Sequence, residues 1–204
     1  MLRNSKQPRV TPVEPPFDDE TAAALEPLGP PIALFRVFAR RPERAKGVFG
    51  WGSYYLSRRA ALTLRQRELV IDRTAARCGA DYEWSIHATM FAERASLDAA
   101  QLRSLAHGDA ADECWDEADR AVIAAVDALH DRNDLDDGEW DALVRAAGED
   151  GAIDVLLVCG WYHAVSFVAR GLRLPLEPGT QAASLELSWP AGLRLQGNQA
   201  GRTP

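Results

Sequence analysis

Two residues of the 204-residue chain combine the types and spacing that proton-transfer chemistry needs, Glu83 and His87, and a third, Glu68, is a carboxylate in an apolar helical stripe. Glu83 and His87 are four apart, so on a helix they are neighbours on one face. A carboxylate beside an imidazole fixes its tautomer and raises its basicity, as a general acid–base couple requires. Glu68 belongs to the series Leu64, Glu68, Ile71, Ala75, Cys78, which steps by four, three, four and three along one helical stripe. A carboxylate in an apolar stripe loses hydration, and its pKa rises unless a cation or hydrogen-bond donors compensate. From this helix alone Glu68 reads as a stripe-edge residue paired with an arginine such as Arg65 or Arg67.

Other chemistries are poorly supplied. Only Cys78, Cys114 and Cys159 occur, far apart and without a C-x-x-C, so neither a disulfide framework nor a thiolate zinc site is expected. Cys78 falls at a helix C-terminus, whose partial negative charge disfavours a thiolate, and reads as a small packing residue. The carboxylates and histidine match neither His-Glu-x-x-His nor the repeated Glu-x-x-His of di-iron bundles, so no metal is expected. No Gly-rich phosphate loop or nucleophile elbow is present, and no cofactor is implied. His163, among Trp161, Tyr162 and Val165, reads as a hydrogen-bonded core histidine; His107 and His130 read as surface or helix-end residues.

The elements that must position these residues are helices. Between Pro42 and Pro175 there is no proline, and the span is rich in Ala, Leu, Arg and Glu. Thr63 with Gln66 forms a capping-box signal for a helix over 64–78 that Gly79 ends. Asp81 is a good N-cap for a helix running to about Arg94, and Asp98 with Gln101 caps a short one ending before Gly108. Further helices are expected over 116–132, 139–147 and 153–170, the last nearly apolar all round as a central buried helix would be. Upstream, Pro31 opens a helix through Arg40 and Pro42 another through about Ser57. Residues 1–29 read as a flexible N-terminal arm, 30–175 as one helical domain, and 176–204 as a C-terminal tail with one candidate strand over 184–189.

The fold class is therefore all-α: helical hairpins packed around a buried C-terminal helix. The run Arg67-Glu68-Leu69-Val70-Ile71, then Arg77-Cys78-Gly79-Ala80-Asp81-Tyr82-Glu83-Trp84 and His87, resembles the carboxymuconolactone decarboxylase and AhpD-like superfamily. So do Ala33 to Arg36, Arg41 to Glu43, Asp127 to His130 and Gly160 to His163, and the resemblance spans roughly Pro30 to Pro175. In the peroxidase branch of that superfamily a glutamate precedes Cys-x-x-Cys and a histidine. Aligned on His87 the glutamate falls on Glu68, but the two cysteines fall on Ala80 and Glu83. Disulfide cycling needs an attacking and a resolving thiol, so that mechanism is lost.

What the resemblance implies instead is cofactor-free acid–base chemistry, such as decarboxylation of a small carboxylated lactone. His87 would donate the proton, Glu83 would orient it, and Glu68 would act as a further acid–base group or orienter. Trp84, Tyr82 and Cys78 are candidate substrate neighbours, although only one face of that helix can look into a pocket and Tyr82 is expected to point elsewhere. Peroxide chemistry at Cys78 is the alternative, and a catalytically silent ligand-binding or assembly relative is a third. The resemblance also implies a homo-oligomer, often a trimer or hexamer. Thirty acidic against 23 basic residues give a net charge of -7, which argues against nucleic acid as partner. The first ten residues lack the apolar core of a secretion signal, and the longest apolar stretch carries Asp154 and His163, so a cytoplasmic protein with no membrane span is expected.

Overall fold

The computed structural model describes residues 7–180, 183 and 185. Among them the chain is helical and contains no strand. The helices are α1 (Asp19–Leu25), α2 (Ala33–Phe38), α3 (Pro42–Tyr55), α4 (Leu64–Arg77), α5 (Asp81–Met90), α6 (Ala99–His107), α7 (Glu117–Arg132) and α8 (Asp137–Leu172). The candidate strand over 184–189 lies outside the described residues except for Leu185.

The capping expectations hold for α4 and α6. The side chains of Thr63 and Gln66 close a reciprocal box at the start of α4, and Asp98 with Gln101 does the same for α6. Thr63→Ala removes the side-chain acceptor of the Gln66 N–H and should cost about 1 kcal/mol of stability, measurable by urea denaturation. At α5 the expectation is off by one: Ala80 is the N-cap and Asp81 the first helical residue. The carboxylate of Asp81 instead accepts the backbone N–H of Leu185. Helix α8 covers both of the helices expected from the sequence. Gly148, at φ 75° and ψ 168°, breaks it internally, in a backbone region where a side chain would be strained.

Helix α4 is the hub. It packs against α5, α6, α7 and α8, and α7 lies along α8. Leu69, Val70, Ile71, Trp84, Val122, Ile123, Val126 and Val155 fill this main core. Buried Arg73 ties it to the periphery. Its guanidinium grips Asp127 bidentately (2.7 and 2.8 Å) and donates to the carbonyls of Leu105 and Gly108 at the end of α6. The last carbonyls of a helix lack intrahelical donors, and a cation satisfies them well.

Two expectations need correction here. The stretch read as a flexible arm folds from Asp18 onward: the Asp18 carboxylate accepts the Thr21 N–H, and α1 follows. Ala24 and Leu25 are buried with Ala33, Leu34, Val37, Phe38, Tyr82, Ile86, Val165 and Ala169 in a second apolar cluster. The chain before α1 is tied down as well, Arg9 N–H donating to the Leu172 carbonyl and Val13 N–H to Arg36. Prolines made this segment look unstructured, but burial of its few apolar residues outweighs their cost. Nor is α8 buried all round. Ile153, Leu156, Leu157 and Phe167 lie on one exposed side of it, Phe167 at 69% exposure. By length and composition α8 is the one described helix long and apolar enough to cross a membrane, and its opposite side packs on α4, α5 and α7.

Candidate functional site

Gly79, at φ 61°, makes the tight turn that lets α5 fold back beside α4. An L side chain is disfavoured at that φ, so the turn suits glycine. The turn brings α5 alongside the Glu68 stripe. His87 Nδ1 lies 2.8 Å from Glu68 Oε2, although the two are 19 positions apart. On the other side of the ring, His87 Nε2 lies 3.1 Å from the hydroxyl of Tyr162 on α8. Glu68 is fully buried, and Glu83 and His87 are 4% and 7% exposed. Phe91, one turn on in α5, stacks on the His87 ring at 5.2 Å, and Tyr162 meets it edge-on.

The partnership differs from the expected one. Glu68, not Glu83, holds the imidazole, and Arg67 lies 3.2 Å from the other Glu68 oxygen. Arg65 instead grips Asp119. The Glu68 carboxylate is thus paired with an arginine, as one sequence reading had it, and also contacts His87. Glu83 shares the His87 face, as its spacing requires, but its buried Oε1 has no hydrogen-bond partner.

These contacts set the charges. Burial works against an ionised Glu68, but the charge and hydrogen bond of His87, followed by Arg67, outweigh it and the pKa is lowered. For His87, burial opposes the imidazolium, and the charge and hydrogen bond of Glu68 overcome it, so the pKa is raised. Glu83 has no donor to offset its desolvation, and its pKa climbs from 4.5 to about 7 despite the pull of His87. Asp72, one turn beyond Glu68 on α4, is fully buried with both oxygens unpartnered, and burial pushes its pKa well up. Burial, with Glu83 and Glu68 nearby, likewise keeps Tyr162 a neutral phenol. The Glu68–His87 contact therefore favours the ionised form of both partners, while burial makes the flanking carboxyl groups of Glu83 and Asp72 resist ionisation.

Glu68, Glu83, His87 and Tyr162 converge on one cavity of about 600 Å³ between the two apolar clusters. Its other walls are largely apolar, including Leu34, Phe38, Ile86, Met90, Phe91 and Trp161, and the lining cations are Arg59 and Arg67. Pro27 and Leu28, from the segment read as an arm, close one side. A concave apolar pocket with a few convergent polar groups is the usual form of a small-molecule site.

The three candidate substrate neighbours do not line this cavity. Trp84 is one step round α5 from Glu83, about 100° away, and is buried in the main core. Tyr82 points to the opposite side, as expected, donating its hydroxyl to Glu177 and accepting the Leu34 N–H. Cys78 is buried at the C-cap of α4, and no cysteine is among the cavity's lining residues. Tyr162 went unassigned in the sequence. It lies on the buried side of α8 with Val155, Val158, Cys159, Val165 and Ala169, and that spacing was the available signal.

The all-α fold thus brings a buried carboxylate–imidazole couple to the wall of an apolar cavity. Residues 44–127 match the model of the Carboxymuconolactone decarboxylase family, and the helical fold is shared with solved AhpD-like and peroxidase-related proteins. An uncharacterised peroxidase-related protein from Silicibacter sp. TM1040 superposes with a TM-score of 0.71 at 15% identity, over 87% of this chain and 96% of that one. The debrominase Bmp8, in complex with 2,3,4-tribromopyrrole, gives 0.66 at 17% identity, over 88% and 97%. An Agrobacterium tumefaciens protein of unknown function, ATU0492, assigned to antioxidant defence as AhpD, gives 0.61 at 18% identity, over 68% and 93%. No curated protein sequence matches the chain.

Proposed function

We propose that the chain is an acid–base enzyme that decarboxylates, or transfers a proton within, a small carboxylated lactone or related organic acid without a cofactor. The observation that carries this is the hydrogen-bonded series Glu68–His87–Tyr162 at the wall of an apolar cavity. In decarboxylation the substrate's C–C bond breaks, carbon dioxide leaves, and the electron pair remains as an enolate. His87, charged through its contact with Glu68, gives the proton from Nε2 to the enolate carbon, directly or through the Tyr162 hydroxyl. Glu68 keeps the imidazolium and its Nδ1–H in place, the role an orienting carboxylate plays beside a catalytic histidine. Arg59 and Arg67 supply positive charge for a substrate carboxylate, and the apolar walls strengthen both interactions by excluding water. The tribromopyrrole bound by the debrominase neighbour is also a small ring compound, a size the cavity accommodates.

The test is release of carbon dioxide from a carboxylated lactone by the purified chain. Activity retained in Cys78→Ser and lost in His87→Ala supports the proposal. Dithiol-dependent peroxide consumption that disappears in Cys78→Ser, with no lactone turnover, would transfer the function to the thiol. A homo-oligomer and a cytoplasmic location are part of the same proposal. The exposed side of α8 carrying Ile153, Leu156, Leu157 and Phe167 would be covered by a second copy.

A further inference from the structure

Away from the cavity, three helices bring a second set of reactive side chains together. Cys78 ends α4, His130 lies in the last turn of α7, and His163 lies midway along the second half of α8. One ligand atom from each falls within 4.8 Å of the others. His130 Nδ1 is 3.0 Å from His163 Nε2. Cys78 is nearly buried and both histidines are half-buried, so the group lies just beneath the surface. None of the three lines the Glu68–His87 cavity.

The geometry points to a transition-metal site here, with Cys78 Sγ, His130 Nδ1 and His163 Nε2 as ligands and zinc as the fitting ion. A thiolate and two imidazoles are the borderline-soft donors that zinc takes, and a three-ligand set leaves a fourth position for water. At zinc–nitrogen distances of about 2.0–2.1 Å and zinc–sulfur of about 2.3 Å, tetrahedral coordination sets ligand nitrogens about 3.3 Å apart and nitrogen and sulfur about 3.6 Å apart. The two imidazoles already meet the first spacing within a few tenths of an ångström, and from separations of at most 4.8 Å the thiol needs to close by no more than about 1.2 Å.

The second observation is the tautomer of His163. Its Nδ1 lies 2.9 Å from the backbone carbonyl of Cys159, which can only accept, so the proton of the neutral ring is on Nδ1. That leaves the Nε2 lone pair facing His130. Metal-bound histidines are commonly held in this way, the distal N–H donating to a carbonyl or carboxylate. Cys159 Sγ, 3.7 Å from Nδ1, lies on that outer side and accepts from Thr74, so it supports the ring rather than joining the ligands. Of the neighbouring cations, Arg77 is paired with Asp127 and Asp131, and Arg170 donates to the Cys78 carbonyl. Sequence spacing concealed the set, because its members lie 52 and 33 positions apart and match no metal motif.

The test is zinc binding by the metal-stripped full chain under reducing conditions, read by calorimetry and by metal content after dialysis. One equivalent of zinc is expected. His130→Ala and Cys78→Ser should each weaken it at least about tenfold, while Cys114→Ser and Glu68→Gln leave it unchanged. Cobalt in place of zinc should give a thiolate-to-metal charge-transfer band that Cys78→Ser abolishes. His130→Ala, at a half-exposed position, carries the test if the buried Cys78 variant fails to fold. Absence of zinc at equimolar concentration would overturn the proposal, as would zinc retained equally by His130→Ala or lost in Glu68→Gln.

Discussion

His87→Ala should lower turnover of a carboxylated lactone by about 10²–10⁴-fold, the range that a positioned general acid or base contributes. The imidazole is the only group in the cavity held on both nitrogens, by Glu68 at 2.8 Å and Tyr162 at 3.1 Å. Removing it deletes the proton donor and leaves the Glu68 carboxylate buried with Arg67 alone. Glu68→Gln is the gentler companion, since it keeps the shape and removes the charge that makes His87 basic. Residues that act as one unit lose activity non-additively, so the double variant should be no slower than His87→Ala. Two losses that multiplied would place Glu68 and His87 in separate roles. Circular dichroism of each variant separates lost chemistry from lost fold.

Glu83→Gln should stabilise the protein at alkaline pH by about 3 kcal/mol. The native Glu83 pKa is about 7 because burial disfavours the carboxylate, against 4.5 for the exposed group. Between these values the unfolded chain has released its proton and the native chain still holds it. The native state then binds more protons, so stability falls as pH rises through this window. At 1.36 kcal/mol for each pH unit between 4.5 and 7, the whole loss is about 3 kcal/mol, complete above pH 7 and absent below 4.5. His87 acts in the same sense, because its raised pKa contributes stability that is present below the unfolded value and lost as pH rises through the folded one. Urea denaturation of the wild type between pH 5 and 8.5 should show the decline, and Glu83→Gln should flatten it. Unchanged pH dependence in that variant would mean that Glu83 is solvated or paired.

The helices around the site were legible in the sequence because their ends are signalled locally. Thr63 with Gln66, Asp98 with Gln101 and Gly79 act within a single turn, and the stripe through Glu68 follows from the helical repeat. Spacing put Glu83 and His87 on one face, but that the Glu68 stripe meets that face at one cavity depends on how α5 folds back on α4, which the sequence left open. Which carboxylate takes the imidazole could not be read, because α4 crosses α5 at a distance that spacing along one helix does not encode. Glu83 is His87's neighbour in the helix, yet side-chain direction gives the hydrogen bond to Glu68. Tyr162 was hidden for a similar reason, since its buried row on α8 carries only packing information until α5 is placed against it. The segment before Pro30 was misread because proline content outweighed a short signal, Asp18 followed by Thr21 and Ala-Ala-Ala-Leu, whose helix is stabilised by contacts with α3 and the second cluster rather than by itself.

The Glu68–His87 couple as the source of the transferred proton is tested most directly by kcat/KM for a carboxylated lactone measured against pH in wild type and Glu68→Gln. The wild type should show a limb set by His87 above pH 6.5, the ordinary histidine value, because Glu68 holds the imidazolium. In Glu68→Gln that limb should move to lower pH together with the fall in rate. A limb that does not move, or turnover that follows a thiol ionisation and vanishes in Cys78→Ser, would contradict the assignment.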